Sequence, residues 1–198
     1  MQSRLIPTNY SQGGSLDYKN ISNALTNVDS TTYATITDDD TAHPYNMVFS
    51  GFNFTKIPFN AKVSEVLIGV KANSKTENGV VRFRVDLHGQ MAFYYKTIAY
   101  NSVASYYIGL PSGVTFNDIR NPDKRFGIAF NFDAREERAI ADIYGMEVVV
   151  TWEPADMFGI KKNGKWHPTT PYKKVNGVWV QQTDIRDLLN EEYIKKGD

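Results

Sequence analysis

Apolar and polar residues alternate along most of this chain, the pattern of strands that bury one face and wet the other. The clearest run sets Val81, Phe83, Val85 and Leu87 on one face and Arg82, Arg84 and Asp86 on the other. A second sets Phe126, Ile128, Phe130 and Phe132 against Gly127, Ala129 and Asn131, small residues that predict the close approach of a second layer. Short β-branched runs at 63–70 and 146–152 predict two more strands, the latter ended by Glu153-Pro154 because proline cannot donate to a ladder. Strands are also expected at 45–54 and 94–100. Turn chemistry separates these runs, at Asn73-Ser74, Asn78-Gly79, Pro111-Ser112-Gly113 and Asn121-Pro122-Asp123. No intervening helix of about ten residues or more shows itself by a 3.6-residue period, so the fold class is mostly β, an antiparallel, jelly-roll-like β-sandwich.

The two ends read differently. Near the N-terminus, Asn20-Ile21-Ser22-Asn23-Ala24-Leu25 suits one helical turn capped by Asn20 or Ser22, and the alternation of Tyr33 with threonines suits an edge strand. After Trp152-Glu153-Pro154 the composition shifts, which divides the chain into a sandwich domain at 1–155 and an attachment segment at 156–198. That segment holds a short repeat, Lys162-Asn163-Gly164-Lys165-Trp166 against Val175-Asn176-Gly177-Val178-Trp179, offset by 13 residues. Asn-Gly supplies the two positive-φ positions of a tight hairpin, so two short hairpins are predicted, each with one tryptophan, Trp166 or Trp179. From Thr183 to Lys196 the spacing places Ile185, Leu188, Leu189 and Tyr193 on one stripe of a helix capped by Thr183 or Asp184. These six residues, Trp166, Trp179, Ile185, Leu188, Leu189 and Tyr193, are the expected partner-binding set, since elements this small cannot bury themselves.

Composition narrows the function classes. The 198 residues are 41% hydrophobic and 13% aromatic, a balance that builds a core. With 22 Lys and Arg against 22 Asp and Glu the net charge is zero, so no overall field draws a phosphate backbone, and nucleic acid is not an expected partner. The absence of cysteine removes disulfides and thiolate chemistry and fits manufacture in a cytoplasm. No apolar run of about 20 residues predicts a membrane span, and the opening Met1-Gln2-Ser3-Arg4-Leu5-Ile6-Pro7 lacks a signal-peptide core.

Catalytic signals are missing as well. His43, His88 and His167 stand apart with no metal-ligand spacing, and no nucleophile elbow, phosphate loop or dinucleotide fingerprint occurs. Asp38-Asp39-Asp40 offers oxygen ligands of the kind calcium takes, but adjacent carboxylates do not converge on one ion, and a solvated turn is expected. Asp133, Glu136 and Glu137, interspersed with Arg135 and Arg138, are expected to form a mixed-charge surface loop. The expectation is a protein without catalytic, cofactor or metal residues.

Taken in order, these pieces resemble a group of tailed-bacteriophage virion proteins. The resemblance runs through Asn20 to Leu25, Asp29-Ser30-Thr31-Thr32-Tyr33-Ala34-Thr35, the corner Ile57-Pro58-Phe59-Asn60-Ala61, the strand Val66-Leu67-Ile68-Gly69-Val70-Lys71-Ala72 and the closing Met146-Glu147-Val148-Val149-Val150-Thr151-Trp152, and it covers residues 14–152. Lys174-Val175-Asn176-Gly177-Val178-Trp179 is similar to Val-Asn-Gly-x-Trp hairpins near the C-termini of phage tail and baseplate components, many of which lack the helix that follows here. The resemblance implies a non-enzymatic structural protein of the tail, baseplate or collar, made in the host cytoplasm and residing in the virion as a homo-oligomer beside other virion proteins. The alternative is a carbohydrate-binding module that contacts host surface glycans. It requires several of Tyr94, Tyr95, Tyr106 and Tyr107 on one exposed face. A hydrolase is the weakest reading, with only Asp133, Glu136 and Glu137 as loose candidates.

Overall fold

The computed structural model describes the chain outside residues 41–42, 60, 78–79, 88–89, 92–94, 135–137, 154–158, 163–164, 169–171, 176–177 and 182–198. For residues 90–91 and the strands between 159 and 181 only backbone pairing is described. In chain order the strands are β1 (Gln2–Leu5), β2 (Asn9–Gly13), β3 (Asp17–Lys19), β4 (Ala34–Asp38), β5 (Tyr45–Ser50), β6 (Lys62–Ser74), β7 (Val80–Leu87) and β8 (Gln90–Met91). They continue with β9 (Lys96–Thr97), β10 (Ala104–Gly109), β11 (Phe126–Asp133), β12 (Ala139–Glu153), β13 (Gly159–Lys162), β14 (Lys165–Pro168), β15 (Tyr172–Val175) and β16 (Val178–Gln181). One short helix, α1 (Phe116–Arg120), and 3₁₀ turns at Ile21–Ala24, Phe54–Lys56 and Pro122–Lys124 complete the described elements.

Two compact units result, Met1–Ile57 with Val63–Trp152, and Pro58–Lys62 with Glu153–Asp198. The first unit holds two antiparallel sheets. One has the order β10-β6-β12-β4-β3 with β1 also on β12, and the other has the order β2-β5-β11-β7-β8 with β9 also on β7. Without the N-terminal additions, β4-β12-β6-β10 faces β5-β11-β7-β8, the strand order of a jelly roll. The Ile57-Pro58 corner lies in the segment that carries the chain from β5 in one sheet to β6 in the other.

Between the sheets the alternating apolar sets meet. Met47, Phe49, Val81, Phe83, Val85, Ile128, Phe130 and Phe132 from one sheet, and Ile36, Ile68, Val70, Ile143, Met146, Val148 and Val150 from the other, are fully buried. Phe130 is the hub, edge-on to Phe49 at 5.7 Å between ring centroids and tilted against Phe83 at 6.1 Å. Each such side chain removed from water contributes about 1.5–3 kcal/mol, which is what holds the layers together.

Several sequence expectations need correction. Gly127, Ala129 and Asn131 face away from the opposite sheet, and what comes close to Gly127 is Val48 of the neighbouring strand, 2.6 Å from where a Cβ would stand. The Tyr33–threonine run yields β4, which is paired on both sides, by β12 and β3, and is not an edge. Of the strand expected at 94–100 only Lys96 and Thr97 form a ladder among the described residues, with β7, and Tyr100 makes an isolated parallel bridge to Ser74. The strand expected at 45–54 stops at Ser50, because Gly51 turns the chain at φ 79° and Asn53 caps a 3₁₀ turn by accepting from the Thr55 amide. The turn at residues 21–24 forms as expected, but Asn20 enters it in the left-handed region at φ 55° without a side-chain cap.

Candidate functional site

The hairpin ladders pair as the Asn-Gly spacing requires. β13 and β14 run in register from Gly159↔Pro168 to Lys162↔Lys165, which puts Trp166 opposite Lys161. β15 and β16 pair from Tyr172↔Gln181 to Val175↔Val178, which puts Trp179 opposite Lys174. Each ladder is a sheet of two strands joined to no third strand among the described residues. Ile185, Leu188, Leu189 and Tyr193 lie outside the described residues, as do the Asn-Gly turns themselves.

The tyrosines of the glycan reading do not gather. Tyr106 points inward against Phe83, with centroids 6.2 Å apart, and its hydroxyl accepts from the Ala99 amide. Tyr107, next along β10, lies on the outer face of the β12 sheet over Gly69. Tyr95, just before β9, lies against Arg82 and Arg84 of β7 in the opposite sheet. Tyr94 is outside the described residues.

The acidic turn separates its three carboxylates. Asp38 is fully buried at the end of β4, where its Oδ1 accepts from the Asp40 amide at 3.0 Å; burial pushes its carboxyl up from the usual aspartate range. Asp39 pairs with Arg138 at 2.9 Å. Asp40 accepts from the Tyr45 hydroxyl at 2.8 Å and lies 3.5 Å from His43. Among the described residues no three His, Asp or Glu side chains converge to hold a metal. Asp133 ends β11, while Arg135, Glu136 and Glu137 lie outside the described residues.

Residue-by-residue reading of the sequence missed three further features. The first is Glu147 on the outer face of β12, completely buried, with neither carboxylate oxygen hydrogen-bonded. Arg4 of β1 is its nearest cation at 3.7 Å but is held closer by Asp29 at 2.8 Å. Burial therefore raises the Glu147 carboxyl above the glutamate range, and Arg4 only partly opposes the shift. The second is a cleft of about 530 Å³ with Phe52, Phe54 and Phe126 on its walls and Arg120 and Arg125 among its lining residues. Thr115-Phe116-Asn117-Asp118 starts α1 beside it as a capping box, a threonine-x-x-acid signal that was present in the sequence. Asp118 also receives Lys124 at 2.5 Å, which holds its carboxyl well below the usual range.

The third feature lies on the outer face of the β11 sheet. Arg82 and Arg84, two residues apart on β7, place their guanidinium carbons 5.8 and 5.1 Å from the centre of the Tyr95 ring. Arg84 is 5% exposed, donates from Nη1 to the Tyr95 hydroxyl, and has no partner at Nε. Its neighbour in register is Ala129, while Arg82 stands opposite Asn131, which donates to Asn46 at 3.2 Å. The sequence signal was two like charges on one strand face; what it did not reveal was that one of them is buried.

No protein-family model matches the chain, and no curated protein matches it.

Proposed function

We propose that the chain is a non-enzymatic structural protein of a tailed-bacteriophage virion, from the tail, baseplate or collar, that acts by assembling with copies of itself and with other virion proteins. The observation that carries this reading is the pair of two-stranded ladders, β13-β14 and β15-β16, each joined to no larger sheet among the described residues. An isolated hairpin is marginal in water and gains stability from a covering surface. Repeated subunits in a closed symmetric assembly offer such surfaces at every position. The apolar stripe of Ile185, Leu188, Leu189 and Tyr193 adds a sequence argument of the same kind. A jelly roll is also an architecture that viral shells use, and the strand and corner residues that resemble phage virion proteins fall within it.

Deletion of residues 156–198 tests the role of the segment. The truncated chain is expected to melt cooperatively and to be missing from particles purified after complementation. A full-length chain carrying Leu188→Ser and Leu189→Ser is expected to be excluded in the same way. Incorporation of either variant at normal occupancy contradicts the attachment role.

A further inference from the structure

We propose that β10 is a second surface of self-association, a sheet edge that pairs antiparallel with β10 of another copy across a two-fold axis at Ser105. β10 ends its sheet, with β6 on one side and no strand on the other among the described residues. An edge of this kind presents a row of backbone donors and acceptors, and proteins that stay single guard it with charge, proline, a bulge or a short length. β3, at the other end of the same sheet, is guarded in that way: three residues long, it carries Asp17 and Lys19. β10 has six residues, and in a chain that is 22% charged no Asp, Glu, Lys or Arg occurs from Thr97 to Asn117. The edge is also greasy. Val103, just before the strand, and Tyr107 within it stay 49% and 46% exposed, although Tyr107 lies over Gly69.

Partner and register follow from the residues of the edge. Tyr106 faces inward against Phe83, so Ala104 and Ile108 share the inner face with it, while Ser105 and Tyr107 lie on the outer one and Val103 continues the outer row. Directly opposed residues of an antiparallel pair lie on the same face, so a two-fold pairing of β10 with itself sets odd residues against odd. With the axis at Ser105, Val103 of each copy stands opposite Tyr107 of the other, Ala104 opposite Tyr106, and Ser105 opposite Ser105. A β-branched residue against an aromatic one and hydroxyl against hydroxyl are both stabilising cross-strand pairs, and no like charges meet. The contact is isologous and closes after two copies. It depends on the assembly reading: a ladder of a few residues is too short to hold two subunits in dilute solution, so it forms between copies that residues 156–198 already bring together.

Disulfide trapping decides it, because the chain has no cysteine of its own to compete. In this register the two Ser105 Cβ atoms stand ~4.5–5.5 Å apart, near enough for a disulfide once thiols replace the hydroxyls. The full-length Ser105→Cys variant, oxidised with copper phenanthroline and run on a non-reducing gel, is expected to link into dimers roughly tenfold or more faster than Ser112→Cys, an exposed position beyond the edge. Val103→Cys and Tyr107→Cys are expected to link slowly alone and rapidly when mixed before oxidation. Sedimentation velocity of the reduced Ser105→Cys variant separates this contact from the assembly reading. An oligomer in which Ser105→Cys links no faster than Ser112→Cys overturns the β10 pairing and leaves assembly through residues 156–198 standing. A monomer at every concentration overturns both. Faster linkage of Val103→Cys alone or Tyr107→Cys alone than of Ser105→Cys contradicts the register, and the proposal with it.

Discussion

Glu147 shows how a residue can act on stability through its charge alone. In the unfolded chain its carboxyl titrates near the ordinary glutamate value of 4.5, whereas in the folded chain burial holds the proton on to higher pH. The folded state therefore binds this proton more tightly, and the contribution to stability, fully present below 4.5, is lost as pH rises through the folded value. Glu147→Gln removes the ionisation and nearly keeps the shape. The variant is expected to melt higher than the parent at pH 7, by roughly 2–4 °C for each ~1 kcal/mol relieved in a protein of this size. Below pH 4.5 the difference is expected to vanish, and parallel melting curves across the pH range check it. Nothing in the local sequence marks this residue: Met146-Glu147-Val148 reads as an ordinary wet position in a strand, and only Arg4, Tyr107 and the fold around them make it dry.

Among the elements, β12 carries the organising feature. Its buried side is odd-numbered at Ala139, Ala141 and Ile143 and even-numbered at Met146, Val148 and Val150, so one extra residue at Tyr144-Gly145 forms a β-bulge. The bulge falls where β12 exchanges partners: β4 pairs with residues 139–143 and β1 with 148–151. Between them Thr26 closes the gap, accepting from the Met146 amide at 2.8 Å and donating its hydroxyl to the Tyr144 carbonyl at 3.0 Å. A Cβ on residue 145 would stand 2.1 Å from the Asn27 carbonyl oxygen, a backbone atom. Gly145→Ala is accordingly expected to cost about 2–3 kcal/mol, measured by urea denaturation, and an unchanged midpoint would refute the close approach. The bulge also explains why the sequence expectation covered only 146–152 of this strand, since a period-2 reading loses phase at residue 144. Where alternation is unbroken, as in β7 and β11, the strands were legible nearly to the residue. β1, β2 and β3 were not, because two of them are exposed throughout and carry no apolar alternation.

For the whole molecule, the sandwich was readable because two greasy strand faces, Val81 to Leu87 and Phe126 to Phe132, have no stable arrangement other than against a second sheet. Sites are harder to read, since burial of Arg84 and dispersal of Tyr95, Tyr106 and Tyr107 depend on which strands become neighbours. The hairpin pairings of Trp166 and Trp179 were readable because Asn-Gly is a local instruction. The central claim, that the segment after the sandwich is there to be covered by other subunits, is tested most directly by sedimentation velocity. The intact 198-residue chain is to be compared over a wide concentration range with the Leu188→Ser, Leu189→Ser variant. The account predicts a discrete oligomer for the intact chain and a monomer for the variant. A single monomeric boundary for the intact chain at every concentration would contradict it.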